Sequence, residues 1–235
     1  RALNELTFSM KIKSFLKRRD MDIDAVIFYA PSIFFGSAVN YIKKRWTIKS
    51  YLIMRDLFPD WTVKVGLMNK GLIYYFFKYF EKKQYLSADF IGMESSEDVK
   101  YCEKFIKKPE IQIEHLLNWV GRVEDKESDL VKKFYLNNHL NLIYGGALGI
   151  AQDFLSFLKI LNKSDVKRVN LVIVGQGEQS EEIERFISQA KIKNTRLIPS
   201  IEREHYMSLV KNADAGLVVL NKNLDAHNYP GKSFE

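Results

Sequence analysis

The sequence is poor in the residues from which metal and thiol chemistry are built. Cys102 is its single cysteine, and its four histidines are scattered. Because one cysteine cannot form an internal disulfide, the composition is typical of a reduced protein on the cytosolic side of a membrane. No zinc-ligand spacing, H-E-x-x-H string or G-x-x-x-x-G-K-[ST] string occurs. The sequence therefore predicts a protein with no metal site and no bound cofactor.

Long apolar runs are also missing. No stretch approaches the roughly 18 uninterrupted apolar residues of a membrane-spanning helix, and the start does not resemble a signal peptide. The chain begins at Arg1 rather than at a methionine, and residues 230–235 stop in what the pattern predicts to be the first turn of a helix. We therefore expect a fragment truncated at both ends, from a cytoplasmic protein.

Positive charge is present but unevenly distributed. Residues 1–120 hold 20 lysines and arginines against 14 aspartates and glutamates, whereas residues 121–235 hold 16 against 15. The excess is densest in residues 41–83, which contain ten basic side chains and three acidic ones. Because this excess is local and no pattern of base-stacking aromatic residues accompanies it, the sequence does not favour a nucleic acid partner.

Aromatic residues are interleaved with lysines in residues 72–83 of that basic segment. This composition suits a helix that lies in the headgroup region of an anionic membrane surface. It equally suits a buried helix with a solvated basic edge. An anionic membrane surface is thus one candidate partner, at the inner face of the plasma membrane.

Short β-branched runs alternate with stretches of helical periodicity, which is the sequence form of βαβ units and parallel sheets. The pattern occurs twice, and a polar, acidic stretch separates the two occurrences. The sequence predicts an N-terminal domain over 1–120, a linker over 121–138 and a C-terminal domain over 139–235. The predicted strands are 25–29, 50–55, 90–94, 111–117, 140–145, 169–175, 195–199 and 215–220. The predicted helices are 3–19, 36–45, 69–86, 95–107, 152–162, 179–191 and 203–212.

Glycines follow two neighbouring strands of the predicted second domain. Gly145, Gly146 and Gly149 come after the first of these strands, and Gly175 and Gly177 come after the second. In an open parallel sheet, anionic ligands collect at this carboxyl edge, where helix N-termini direct unpaired N–H groups at them. Each glycine pair alone is more typical of a tight turn than of a phosphate site, whereas two such loops on adjacent strands fit both interpretations equally well.

Several motifs together resemble family 4 (group 1) retaining glycosyltransferases. The ending Y-P-G-K-S-F-E, residues 229–235, resembles the family's P-x-K-x-x-E segment, and Asn118-Trp119 resembles the end of its first domain. Residues 142–149, 172–178 and 213–218 resemble the family in order and spacing. Residues 52–61, LIMRDLFPDW, resemble the R-D-x-W-P segment of a subgroup that includes L-fucosamine transferases of O-antigen synthesis. The resemblance covers essentially the whole chain.

The resemblance implies an α/β fold of the GT-B type, with two Rossmann-like domains facing a cleft, both incomplete here. It implies a nucleotide-diphosphate sugar as donor, with UDP favoured, and a lipid-linked or glycan acceptor of bacterial O-antigen, capsule or exopolysaccharide synthesis. In the family the final Glu, here Glu235, holds the donor's ribose. Together with the glycine loops, it leads us to predict as donor-binding residues Gly146, Gly149, Gln152, Gly175, Gly177, Arg203, Lys232 and Glu235.

The sequence departs from the family at the phosphate end of this site. Many members carry Arg at Ala147 and Lys at Gln152, and the first Glu of the family's E-x7-E motif would fall at His227. We provisionally assign neutralisation of the leaving diphosphate to Lys232, with Arg203 and the helix N-terminus after Gly149 assisting. Arg203 is also explained by a solvated helix start.

Asp56 is the carboxylate best placed for catalysis, at the exit of a first-domain strand. It is a candidate general base or acceptor-orienting group, and a helix cap or an ion pair with Arg55 explains it equally well. The lack of charge at Ala147 and Gln152 leaves a second function open, a nucleotide-binding or docking module without catalysis. A dinucleotide oxidoreductase is less favoured because residues 146–149 lack the G-x-G-x-x-G order.

Overall fold

The computed structural model describes residues 2–64, 66–119, 121, 128–164 and 167–222. They divide into two compact units, one ending at Asn118 and the other beginning at Trp119. Each unit contains a four-stranded parallel sheet with helices between its strands. The predicted α/β fold class is confirmed.

In the first unit, the sheet has the order β1-β2-β3-β4, so each strand pairs with the next one along the chain. Pairing is in parallel register, with Phe28 beside Leu52 and Leu52 beside Ile91. These three side chains share one face and form the core together with Val39 and Cys102 from two helices. The elements are α1 (Ala2–Lys17), β1 (Ala25–Tyr29), α2 (Gly36–Trp46), β2 (Lys49–Met54), α3 (Asp60–Lys64), α4 (Leu72–Tyr85), β3 (Phe90–Met93), α5 (Ser96–Phe105) and β4 (Gln112–His115).

In the second unit, the sheet has the order β7-β6-β5-β8. The elements are α6 (Asp129–Phe134), β5 (Leu140–Gly145), α7 (Phe154–Lys163), β6 (Val169–Val174), α8 (Ser180–Gln189), β7 (Thr195–Ile198), α9 (Arg203–Asn212) and β8 (Ala215–Gly216). Helix α6 lies within the segment predicted as a linker, and its Phe134 packs into this unit's core.

The central strand β6 is covered on both faces. Leu171 and Ile173 pack with α7 and α8, whereas Val172 and Val174 pack with α6 and α9. Because side chains alternate along a strand, the run V-N-L-V-I-V, which is apolar except at Asn170, contributes side chains to two cores at once. The result is a doubly wound domain half, and it places the carboxyl ends of β5, β6 and β7 at one edge of the sheet.

Strand β8 is shorter than the predicted strand over 215–220. It pairs with β5 only at Ala215 and Gly216, and the N–H of Leu217 adds one more bond to Ile143. Beyond that point the chain after β5 turns toward β6, where the N–H of Gly146 bonds the carbonyl of Val174. In this register the last residue of β5, Gly145, stands level with Val218, so the residues after Val218 have no residue of β5 to pair with.

Candidate functional site

The two loops at the carboxyl edge of the second sheet pack against each other. Beyond the strands, the N–H of Leu148 donates to the carbonyl of Gln176 at 3.2 Å, and the N–H of Gln179 donates to the carbonyl of Leu148 at 3.0 Å. A Cβ on Gly175 would lie 1.9 Å from the carbonyl oxygen of Gly146. Glycine at position 175 is therefore required by the close contact of the loops themselves.

A pocket of about 350 Å³ lies beside these loops. Tyr206 of α9 lines one side of the pocket and packs closely on Gly145. A Cβ added to Gly145 would lie 2.2 Å from the Tyr206 hydroxyl oxygen. Helix α9 begins at the pocket, and the side chain of its N-cap residue, Glu202, makes no capping hydrogen bond. Its exposed Arg203 lines the pocket. Cation and helix dipole together make this a favourable place for a phosphate group. The lining residues are Gly145, Gly146, Val174, Gly175, Ser200, Ile201, Arg203, Tyr206 and Met207.

The predicted phosphate-binding turn after Gly149 carries acceptors of its own. The side-chain oxygen of Gln152 accepts a hydrogen bond from the N–H of Gly149 at 3.3 Å, and a carboxylate oxygen of Glu178 accepts one from the N–H of Ile150 at 3.0 Å. Both hydrogen-bond donors are backbone N–H groups to which an incoming anion would otherwise bind. The local side chains at this turn are thus neutral or acidic, which extends the departure noted at Ala147 and Gln152.

The structure brings three of the predicted donor residues, Gly146, Gly175 and Arg203, into one pocket. Gly149 and Gln152 form the neighbouring turn. Gly177 packs against the backbone of Leu148, and a Cβ added to Gly177 would lie 2.3 Å from the carbonyl oxygen of Leu148. Their roles in donor binding remain predictions. Lys232, Glu235 and the departure at His227 lie outside the described residues.

In the first unit, charged residues gather where β2 and β3 end. Arg55 forms an ion pair with Glu94 at 2.5 Å and donates a hydrogen bond to the side-chain oxygen of Asn118 at 2.5 Å. Burial raises the pKa of the Asp56 carboxyl, and the charge of Arg55 partly offsets this. Burial also raises the pKa of Glu94, to which Asp56 contributes by repulsion. A carboxylate with a raised pKa is a stronger base than an ordinary one, which suits it to accepting a proton from a substrate.

Asp56 also lines a large apolar pocket of about 930 Å³. The walls come from α1, from the segment after β1, from the segment after β2 and from α4. They consist of Glu5, Leu6, Pro31, Ser32, Ile33, Phe34, Asp56, Phe58, Trp61, Leu72, Ile73, Phe76 and Phe77. The predicted catalytic carboxyl therefore faces a space lined mostly by hydrocarbon and aromatic surface.

Sequence reasoning missed Glu94, Glu178 and Tyr206. Glu94 ends a predicted strand, so its position at the carboxyl edge was a usable signal. Glu178 and Tyr206 have no such signal, because their contacts with Ile150 and Gly145 join residues far apart in the chain.

Cys102 is buried, and burial raises the pKa of its thiol to about 12, which suits a core residue. Among the described residues, no group of three or more His, Cys, Asp or Glu side chains is placed to hold a metal ion.

No model of a known protein family matches the chain. No curated protein matches its sequence either. Solved structures do match. A sucrose-phosphate synthase from Thermosynechococcus elongatus covers 93% of this chain at 12% identity with a TM-score of 0.68, over 56% of its own length. HepE from Anabaena, solved with UDP-glucose, covers 91% at 13% identity and a TM-score of 0.62, over 57% of its length.

The pneumococcal O-GlcNAc transferase GtfA, solved with UDP and GlcNAc, covers 86% of this chain at 14% identity with a TM-score of 0.53, over 38% of its length. The chain thus spans about half the length of two of these structures and less of the third. At such low identity the similarity shows the fold: two Rossmann-like domains of the GT-B type, as predicted.

Proposed function

We propose that the protein is a glycosyltransferase that uses a nucleotide-diphosphate sugar, with UDP as the favoured nucleotide. The observation that carries the proposal is the pocket at the carboxyl edge of the second sheet, where the start of α9 and Arg203 meet the glycine loops. Structures of the same fold, HepE and GtfA, were solved with UDP or a UDP-sugar. The sequence motifs at 142–149, 172–178 and 229–235 support the same function.

In this proposal the second unit binds the donor. Arg203 and the α9 dipole attract the diphosphate, Lys232 neutralises the leaving group, and Glu235 holds the ribose hydroxyls. Transfer proceeds with retention. Since the sequence offers no obvious carboxylate nucleophile, the acceptor attacks from the face that the nucleotide leaves, through a transition state with oxocarbenium character. Asp56 serves as the acceptor-orienting group or general base.

We propose a lipid-linked or polysaccharide acceptor, in the synthesis of bacterial O-antigen, capsule or exopolysaccharide. The supporting observations are the subgroup motif over residues 52–61 and the basic, aromatic helix α4. The proposed location is the cytoplasmic side of the plasma membrane, by peripheral association. Among the described residues, no helix is both long and apolar enough to span a bilayer.

Calorimetric titration of the whole protein with UDP tests the donor site. We expect binding that weakens about 10- to 100-fold in Lys232→Ala, Glu235→Ala and Arg203→Ala, because each removes a charge-assisted contact of about 1.5–3 kcal/mol. The control is Lys159→Ala, which removes an exposed cation of α7 away from the pocket. Undiminished binding in both Lys232→Ala and Glu235→Ala would show that the donor site is wrongly assigned.

A nucleotide-binding module without catalysis is the second candidate. Ala147 and Gln152 supply no cation, and Glu178 places a carboxylate at the same turn. Both functions predict UDP binding, so binding alone does not separate them. Single-turnover transfer of a radiolabelled sugar from a UDP-sugar to membrane extracts does separate them, because only the enzyme yields labelled product.

A further inference from the structure

Helix α4 is inverted relative to an ordinary surface helix. Its inner face holds polar and charged groups: Lys78 contacts both Asp60 and Glu81, and Tyr85 donates a hydrogen bond to Glu81 at 2.6 Å. Gln84 is fully buried and bonds the backbone of the segment after β1. The ionic partners of α4 therefore lie inside the unit, where a surface helix would bury its apolar stripe.

The outer face of α4 is apolar. Leu72 is 91% exposed and Ile73 is 66% exposed, and Tyr75, Phe76 and Tyr79 are exposed with them. Leu72, Tyr75, Phe76 and Tyr79 recur at helical spacing, so they form one contiguous stripe. Scattered exposed apolar residues need no explanation, but a stripe of this kind marks an interaction surface.

This stripe is continuous with the large apolar pocket. Leu72, Ile73 and Phe76 belong both to the exposed surface and to the pocket lining. The pocket's volume of about 930 Å³ is near the upper end of the range for sites that enclose a small organic ligand. An apolar ligand that crosses the stripe can thus enter the pocket without leaving apolar surroundings, and Asp56 is among the groups that it would meet there.

Positive charge accompanies the apolar stripe. The ammonium group of Lys83 lies 4.5 Å from the centre of the Tyr79 ring, on the same side of the helix. Lys70, just before the helix, and Lys82, next to Lys83, are exposed as well. Aromatic side chains flanked by lysines are suited to the boundary between anionic headgroups and acyl chains. This charge distinguishes a lipid surface from a neutral apolar partner.

We propose that this pocket binds the hydrocarbon chain of an anionic membrane lipid, which α4 reaches by resting its apolar stripe on the bilayer. This inference rests on the proposed function and deepens it, because the lipid is then the carrier of the sugar acceptor. The chain fills the pocket, and the acceptor headgroup is held at the Asp56 end of the unit.

Trp61 lines the pocket and provides the probe. The whole protein is prepared with Trp61 as its only tryptophan, and the substitutions needed for this include Trp46→Phe and Trp119→Phe. Its fluorescence is measured with vesicles of phosphatidylglycerol and phosphatidylcholine whose acyl chains carry bromine, and with the same lipids without bromine. A second titration uses a bromine-tagged fatty acid below its micelle concentration. We expect bromine-dependent quenching in the vesicles and saturable quenching by the fatty acid.

Ile73→Asp should shift both titrations at least about tenfold, because it removes the burial of one aliphatic side chain and adds a charge. Ile160→Asp is the matched control, since Ile160 is 67% exposed on α7 of the second unit. It should change neither titration. Lys83→Gln should weaken binding to the anionic vesicles about fivefold, which corresponds to the contribution of one lysine near such a surface.

Absence of quenching in either titration would overturn the proposal, as would equal effects of Ile73→Asp and Ile160→Asp. If the parent protein shows no quenching but forms a dimer, and Ile73→Asp abolishes that dimer, the stripe binds a second copy of this chain instead of a lipid. Calorimetry with UDP on the same preparations separates the two questions. Normal UDP binding without quenching would refute the lipid pocket alone, and quenching without UDP binding would refute the donor site alone.

Discussion

The carboxylate of Glu178 accepts a hydrogen bond from the backbone N–H of Ile150 at 3.0 Å. Ile150 lies in the turn after Gly149, where the resemblance to glycosyltransferases places the donor's phosphates. An acidic side chain therefore occupies a backbone donor that a diphosphate would use. Since the Glu178 carboxylate and the diphosphate would bind the same N–H, we expect them to compete for it.

Glu178→Gln should tighten UDP binding. The amide keeps the size of the side chain and removes the negative charge, and one charge near a helix start contributes about 0.3–1 kcal/mol, or roughly two- to fivefold in affinity. Isothermal calorimetry at low ionic strength measures the effect. Glu184→Gln, an exposed neutralisation on α8, should leave the affinity unchanged. Weaker binding in Glu178→Gln would mean that the carboxylate itself contacts the donor.

Gly175→Ala should destabilise the second unit. The new methyl group would stand 1.9 Å from the carbonyl oxygen of Gly146, so one of the two loops must move. We expect a loss of about 1–3 kcal/mol, the usual cost of overpacking, together with weaker UDP binding. Thermal unfolding measures the first effect and calorimetry the second. Gly216→Ala is the matched control in the same sheet, because nothing lies within 4 Å of its added methyl group.

Asp56→Asn should raise stability at neutral pH while it lowers sugar transfer. Burial holds the pKa of Asp56 above its ordinary value of 3.8, so the folded protein binds the proton more tightly than the unfolded chain does. The folded state therefore loses stability as pH rises from about 3.8 through the raised pKa. Asn removes this penalty. The gain in melting temperature should be largest at neutral pH and should shrink below pH 4.

Asp89→Asn should show the opposite pH dependence. Asp89 accepts hydrogen bonds from the N–H and hydroxyl of Ser50 and pairs with Lys43 at 2.8 Å, and these contacts outweigh burial and lower its pKa. Its stabilisation is present above about pH 3.8 and is lost as pH falls through the lowered pKa. The variant should thus melt at a lower temperature at pH 7 and approach the parent in acid. Identical pH profiles for Asp56→Asn and Asp89→Asn would contradict both assignments.

Lys78→Met should destabilise the first unit by roughly 3 kcal/mol, the lower end of the cost of breaking a buried ion pair. Lys78 neutralises Asp60 and the buried Glu81, so its loss leaves two carboxylates facing each other. Burial already raises the pKa of Glu81, and protonation of that group should shrink the deficit as pH falls. Urea unfolding at pH 7 and pH 5 measures both effects. Lys82→Met, the exposed neighbour on the same helix, should change stability by no more than about 0.5 kcal/mol.

Most elements were predictable because periodicity alone specifies them. The run V-N-L-V-I-V predicted the strand that the structure shows as β6, and β1, β5 and α9 have the predicted bounds. The predicted strand over 215–220 was too long, because a strand needs a partner and the chain after β5 turns away at Gly146. Helix α3 (Asp60–Lys64) was not predicted, since five residues are too few to show a helical period.

The orientation of α4 was beyond sequence reasoning. Its composition fitted a membrane-surface helix and a buried helix equally well, because nearly every position is apolar, aromatic or basic. The orientation of the helix depends on Asp60, which accepts hydrogen bonds from Tyr74 and Tyr101 and pairs with Lys78. These contacts fix which side of the helix faces inward. They join three separate elements, and no local pattern encodes them.

The loops at the carboxyl edge of the second sheet continue the hydrogen-bond ladder past the strands, from Gly146 with Val174 to Leu148 with Gln176 and Gln179. Backbone that is already held in place gives up little conformational freedom when a ligand arrives. The entropy of binding at this edge should therefore come mainly from released water and from side chains such as Arg203 and Glu178. In hydrogen exchange, the amides of Gly146 and Leu148 should exchange slowly before any nucleotide is added.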